Sequence, residues 1–122
     1  MGFDHIVLTC DSVPEMVTFY GDVLGLRVGE ERPGKWAIWF GSNKISLQDE
    51  STKPALAAAT LPGTGNFCLL TEADVADVAA RLRRVGVKIL EEGERAGATG
   101  PIRSIYFRDP EGNLVEIAKL LR

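Results

Sequence analysis

The chain has 122 residues, 45% of them apolar and 25% charged, with a formal net charge of -3; this fits one globular domain and leaves no basic run to hold nucleic acid or an anionic membrane. No apolar segment approaches the roughly 20 residues of a membrane span, and the opening M-G-F-D-H-I has neither a basic nor an apolar leader region, so a cytoplasmic protein is expected. Cys10 and Cys68 are too few for a disulfide framework or a Cys-rich zinc site, and both fall in strand-like runs where reduced, buried thiols are common.

Residues 3–9 alternate as a strand, with Phe3, His5, Val7 and Thr9 on one face and Ile6 and Leu8 on the other. His5 is the chain's single histidine. Ser12-Val13-Pro14-Glu15 reads as a capping box, with Ser12 as N-cap and Glu15 reaching back. The helix it opens carries an apolar stripe of Val13, Met16, Val17, Tyr20, Val23 and Leu24, and Gly25 suits the left-handed position that ends it. Strands follow at 26–30, 36–40 and 44–48. Trp36 and Trp39 point to opposite faces, and Ser46 and Gln48 share the face that Ile45 and Leu47 avoid.

Residues 49–65 break the pattern with Pro54, Pro62, Gly63 and Gly65 around an alanine-rich run that can form a short helix; they read as a connector. A strand at 66–70 and a helix at about 74–85 come next, with Val75, Val78, Ala79, Leu82 and Val85 on its stripe and Gly86 as its stop. Three strands close the chain, near 87–91, 103–108 and 113–119. The loop between the first two carries G-A-T-G-P and reads as the most mobile segment. Between the last two, Asp109-Pro110-Glu111-Gly112 has the residues of a type I turn followed by a positive φ. On the return strand Glu116 shares a face with Leu114 and Ala118, and it reads equally as a solvent-facing carboxylate or as part of a site.

The order strand, helix, strand, strand, strand thus occurs twice. Gly25 and Gly86, in L-G-L and V-G-V, are 61 residues apart, and the same offset carries His5 onto Asn66. Aligning the final hairpins at Asn43 and Asn113 sets Ser46 against Glu116. A twofold repeat follows, with modules 1–48 and 66–122 on either side of the connector, and with His5, Asn66, Ser46 or Gln48, and Glu116 as residues that can converge on one concave face.

The segments F-D-H-I-V-L, F-Y-G-D-V-L-G-L, K-I-S-L-Q and Y-F-R-D-P-E-G-N-L-V-E-I together resemble the vicinal oxygen chelate superfamily of glyoxalases, fosfomycin and bleomycin resistance proteins and extradiol dioxygenases. The resemblance covers essentially the whole chain. It is closest to short glyoxalase-domain-containing and virulence-associated proteins, which share the run G-A-T-G-P-I-R-S-I-Y-F-R-D-P. It implies an α+β fold in which two βαβββ modules form an open, curved, mixed-sheet barrel around a divalent metal.

Carried over position by position, the resemblance makes His5 and Glu116 metal ligands, with Glu116 at the catalytic centre. Gln48 stands where close relatives carry a histidine and is the third ligand, through its carbonyl oxygen. Ser46 stands where other members supply a carboxylate, and Asn66 where metal-binding members commonly carry histidine. Ser46, Asn66 and Tyr106 are the implied substrate contacts; Tyr106 shares the face of Glu116 if their offset holds across the turn. The metal that the resemblance implies is Mn, Ni, Fe, Co or Zn. Two functions follow: a metal-dependent lyase, transferase or oxygenase acting on a small oxygenated metabolite or antibiotic, or a metal-free protein that sequesters a drug-like ligand. Short members of the family usually pair, so a homodimer is expected.

Overall fold

The structure is a computed structural model that describes residues 1–49 and 56–122. Its elements are β1 (His5–Thr9), α1 (Val13–Thr18) running into a π-helical turn (Phe19–Val23), β2 (Arg27–Arg32), β3 (Lys35–Phe40), β4 (Asn43–Gln48), β5 (Asn66–Leu70), α2 (Val75–Arg84), β6 (Glu91–Ala96), β7 (Pro101–Arg108) and β8 (Leu114–Leu120). Among the described residues the strands form two four-stranded mixed sheets, ordered β1-β4-β3-β2 and β5-β8-β7-β6. The expected βαβββ unit therefore occurs twice, and neither sheet closes on itself. The chain divides into two compact units, 1–64 with 110–112, and 65–109 with 113–122. None of the described helices is long and apolar enough to cross a membrane.

In the N-terminal unit one sheet face is apolar and covered. Leu8, Ile38, Ile45 and Leu47 are buried there, together with Met16, Phe19 and Tyr20 of the helix. Fully burying each such side chain contributes about 1.5–3 kcal/mol. In the C-terminal unit Ile105, Phe107, Val115 and Ile117 are buried along with Val75, Ala79 and Leu82 of α2. The alternation that buries these residues turns the intervening set of each strand to the other, open face.

The repeat extends to single hydrogen bonds. The Asn43 side chain donates to Phe3 O, while Asn113 Oδ1 accepts from Gly65 N at 2.8 Å. Each ties the start of a module's last strand to the approach of its first. The backbone pairs Lys44 N to Asp4 O and Leu114 N to Gly65 O occupy matching positions, as do Cys10 N to Gln48 O and Thr71 N to Ala118 O.

The helices differ. Ser12 Oγ accepts from Glu15 N at 3.3 Å, as a capping box requires, but the Ser12 N–H goes to Glu111 Oε2 at 2.9 Å rather than to Glu15. The Asp11 N–H goes to Glu111 Oε1, also at 2.9 Å. The stretch from Ser12 to Gly25 is one residue longer than that from Asp74 to Gly86. The π-helical turn takes up that residue, because its wider i→i+5 bonding fits an extra position without moving the ends. Both stops hold, with Gly25 at φ 72 and Gly86 at φ 85.

Two expectations change. The strand expected at 87–91 lies at Glu91–Ala96. The helix stop uses Gly86 N and Val87 N to cap Arg83 O and Leu82 O, so pairing with β7 begins only at Leu90 N. The strand itself is a charged edge, E-E-G-E-R-A, whose charges discourage further pairing and mask any apolar alternation. The segment read as a mobile loop is a tight turn, closed by Gly97 N to Gly100 O at 2.9 Å. In the connector, residues 50–55 lie outside the described residues, and 56–65 carry neither helix nor strand.

Candidate functional site

Residues opposite one another in a ladder point to the same side of the sheet. On the open face of the C-terminal sheet, Cys68, Glu116, Tyr106 and Glu91 form one row, each opposite the next. Tyr106 faces Glu116 as the offset across the turn predicts. The next row is Leu70, Ala118, Ser104 and Gly93. The strands deliver this arrangement because the Asp109–Gly112 turn keeps register: Gly112 takes φ 89, and Asp109 N donates to Asn113 O.

Glu116 is the hub. Ser104, fully buried, donates its hydroxyl to Glu116 Oε2 at 2.5 Å. Cys68 and Tyr106 bond to the same carboxylate. Partial burial of the thiol itself, in a residue that is otherwise exposed, pushes Cys68 up to about 11, and the charge and hydrogen bond of Glu116 add to the shift. Tyr106 is raised by burial and by the hydrogen bond and charge of Glu116, against the opposing pull of Arg95. Arg95 lies over the Tyr106 ring, 5.2 Å from its centre, with Nη2 3.2 Å from Glu91 Oε2. Both acids beside Glu116 therefore keep their protons at neutral pH and act as donors.

On the open face of the N-terminal sheet, His5, Lys44, Trp39 and Arg27 form one row, and Val7, Ser46, Ala37 and Gly29 the next. Thr9 and Gln48 stand opposite each other. Trp39 is on this face and Trp36 on the covered one, as their spacing requires. The Arg27 guanidinium lies over the Trp39 ring at 4.5 Å, and Lys44 pairs with Glu31.

His5 Nδ1 meets Asp4 Oδ2 at 2.9 Å between two exposed side chains, which leaves Nε2 as the ring's other ligand atom. Gln48 Nε2 donates to Thr9 Oγ1 at 2.9 Å, so its carbonyl oxygen is the acceptor it presents. Taken singly, the His5 imidazole nitrogen, the Glu116 carboxylate and the Gln48 amide oxygen are donor types that a borderline divalent ion accepts. The β1–β4 register sets Gln48 opposite Thr9, four residues beyond His5, about 13 Å along the strand. Ser46, opposite Val7, is the nearer of the two. Asn66 is exposed at the start of β5, opposite Leu114. Among the described residues no group of three or more His, Cys, Asp or Glu side chains gathers around one point.

Two members of this face escape a reading of the sequence. Cys68, expected to be buried, is exposed beside Glu116. Ser104 carries no motif that singles it out. The signal exists for both, since each lies two positions from a residue assigned to the open face, Cys68 from Asn66 and Ser104 from Tyr106.

Comparison with known proteins places this geometry among relatives. The Glyoxalase/Bleomycin resistance protein/Dioxygenase superfamily profile matches residues 2–117. Virulence protein STM3117 of Salmonella typhimurium is 39% identical over 118 residues, spanning 95% of this chain and 82% of that protein. Its crystal structure superimposes with a TM-score of 0.92 at 36% identity, covering 99% of this chain and 98% of that one. Glyoxalase domain-containing protein RDO1 of Mycosarcoma maydis is 36% identical over 117 residues, 94% of this chain and 66% of that protein. Biphenyl-2,3-diol 1,2-dioxygenase 3 of Rhodococcus globerulus is 31% identical over 127 residues, 93% of this chain and 60% of that protein. Two solved structures share the fold alone. Lactoylglutathione lyase from Agrobacterium tumefaciens has a TM-score of 0.75 at 24% identity, covering 97% and 92% of the two chains. The antibiotic binding protein TnmS3 from Streptomyces sp. CB03234 has a TM-score of 0.77 at 20% identity, covering 99% and 97%.

Proposed function

The chain belongs to the glyoxalase/bleomycin resistance protein/dioxygenase superfamily, and from that premise we propose that it is a divalent-metal-dependent enzyme, a lyase, transferase or oxygenase, acting on a small oxygenated molecule. The observation that carries the reading is the row Cys68, Glu116, Tyr106, with Ser104 beneath it: a carboxylate held in place on an open face by protonated neighbours. In this reading His5 and Glu116 hold the ion, and their meeting at one ion is part of the proposal. An ion of Mn, Ni, Fe, Co or Zn held there would polarise the substrate's oxygens as a Lewis acid.

The chain's own residues do the rest. Asp4 bonds to Nδ1 of the His5 ring. Tyr106 retains its phenol proton beside Glu116 and can donate it as a hydrogen bond to a substrate oxygen. Gln48, opposite Thr9 at the end of β4, is the proposed third ligand through its carbonyl oxygen, and Ser46 and Asn66 are the proposed contacts to the substrate. The test is metal analysis of the purified protein, with and without Glu116→Ala. Stoichiometric metal lost in the variant supports the reading, and wild-type protein that takes up no divalent ion sinks it.

A metal-free ligand-binding protein is the second reading; TnmS3, an antibiotic binding protein, shares the fold. This reading is favoured by the same carboxylate, already satisfied by hydrogen bonds from Ser104, Cys68 and Tyr106. The proposed protein is a cytoplasmic homodimer whose partners are small molecules rather than nucleic acid or membrane. Sedimentation at micromolar concentration decides the oligomer, since a sole species at 13.2 kDa rules the dimer out.

A further inference from the structure

Ser104 is completely buried in β7, a place where a hydroxyl costs about 1–3 kcal/mol unless it is hydrogen-bonded. Its neighbours across the sheet are Gly93 and Ala118, which offer no polar side chain. The partner it has is Glu116, at 2.5 Å from Oε2, a length typical of an O–H group donating to a carboxylate. The bond runs diagonally between neighbouring rows, so it fixes the rotation of the carboxylate as well as its place.

The repeat supplies an internal control. Ala37 faces Ser46 in the N-terminal sheet as Tyr106 faces Glu116 in the C-terminal one. Two positions before Ala37, where the second module has Ser104, the first has Lys35; where the second has Glu116, the first has Ser46. The fold itself therefore does not require a hydroxyl there. The serine and the carboxylate occur together, in one module of the two.

We propose that Ser104 is a positioning residue for Glu116, holding its carboxylate in the single orientation in which it binds a divalent ion. The inference rests on the reading of Glu116 as a metal ligand. It assigns Ser104 no contact with metal or substrate.

Cobalt(II) titration of the full chain, followed by the visible absorption of the bound ion, separates the possibilities, with thermal unfolding as the check on folding. Ser104→Ala is expected to weaken cobalt binding roughly 10- to 100-fold, the usual cost of removing a group that orients a ligand, and to change the absorption of the bound ion. Ser104→Thr, which restores the hydroxyl, is expected to return the affinity to within a few-fold of wild type. Ser104→Cys, similar in size with a weaker donor, should fall between them, and it replaces the alanine variant if that one does not fold. Equal affinity in wild type and Ser104→Ala, or in wild type and Ser104→Cys, overturns the inference while leaving Glu116 as a ligand. Threonine no better than alanine overturns it too, because the loss is then one of packing. Wild-type protein that binds no cobalt overturns the metal reading of Glu116, and this inference falls with it.

Discussion

Glu116→Gln is expected to lower divalent-metal affinity by more than the roughly 10- to 100-fold that follows from changes outside the ligand set, and to speed alkylation of Cys68 in the metal-free protein. The two effects have one cause. Glutamine keeps the shape of the side chain and an oxygen acceptor but removes the charge that an ion requires and that Cys68 opposes. The Cys68 thiol stands at about 11 against an ordinary 9.0, mainly through burial and then through the charge and hydrogen bond of Glu116.

Removing the charge brings the thiol down toward its ordinary value without reaching it, because burial remains. The thiolate fraction near pH 8, and with it the rate of reaction with iodoacetamide, should rise several-fold. The sign also shows in stability. A folded protein that holds this proton longer than the unfolded chain gains stability below pH 9.0, and loses that gain as pH rises toward about 11. The variant should show a shallower loss over the same window. An unchanged alkylation rate would mean that Cys68 does not sense Glu116, and the row described above would be wrong.

Asp109→Asn is expected to destabilise the protein by about 2–4 kcal/mol, lowering Tm by roughly 10 °C. Asp109 and Asn113 are both buried. Asp109 Oδ1 accepts from Asn113 N at 3.0 Å and Oδ2 from Asn113 Nδ2 at 2.9 Å. An amide at position 109 has one acceptor where two are needed, so whichever way it turns, a donor faces a donor. Adding Asn113→Asp in the same chain reverses the polarity of the pair. The carboxylate then at position 113 can accept from the amide at position 109, and it can still accept the Gly65 N–H that Asn113 Oδ1 takes at 2.8 Å in the wild type. Thermal unfolding of the single and double variants is the measurement. A single variant with wild-type Tm, or a double variant no better than the single, would show that the turn is not held by this pair.

Most of the architecture is legible because it is written twice. Gly25 and Gly86 mark equivalent helix ends, and Asn43 and Asn113 mark equivalent strand starts; repetition turns a weak local signal into a register. Periodicity likewise places Glu116, Tyr106, Ser46 and His5 on open faces, because a strand alternates whatever its surroundings. What pattern alone does not contain is which residue of one strand stands beside which residue of another. For that reason Cys68 reads as a core thiol, although the β5–β8 register sets it against Glu116, and the register that sets Gln48 opposite Thr9 is likewise invisible in the pattern. The π-helical turn escapes for a simpler cause. The first helix is longer than the second by one residue, a mismatch visible only when the caps at Ser12 and Asp74 are compared as well as the stops.

The tip of the last hairpin has a consequence for how the protein is made. Pro110–Gly112 belongs to the N-terminal unit, and Glu111 receives the Asp11 and Ser12 N–H groups across separations of 100 and 99 residues. Gly63, at φ 82, leaves room for the Glu111 carbonyl, which would lie 2.9 Å from a Cβ at that position. During synthesis the first half leaves the ribosome with its helix capped by Ser12 but with the Asp11 and Ser12 N–H groups lacking their Glu111 partner, which arrives only once residue 111 has been translated. Segments usually fold as units in the order they emerge, and contacts distant in sequence close late. Here the module made first is still incomplete when most of the second has been made, so a nascent chain stalled before residue 110 holds an N-terminal half without the Pro110–Gly112 segment that belongs to it.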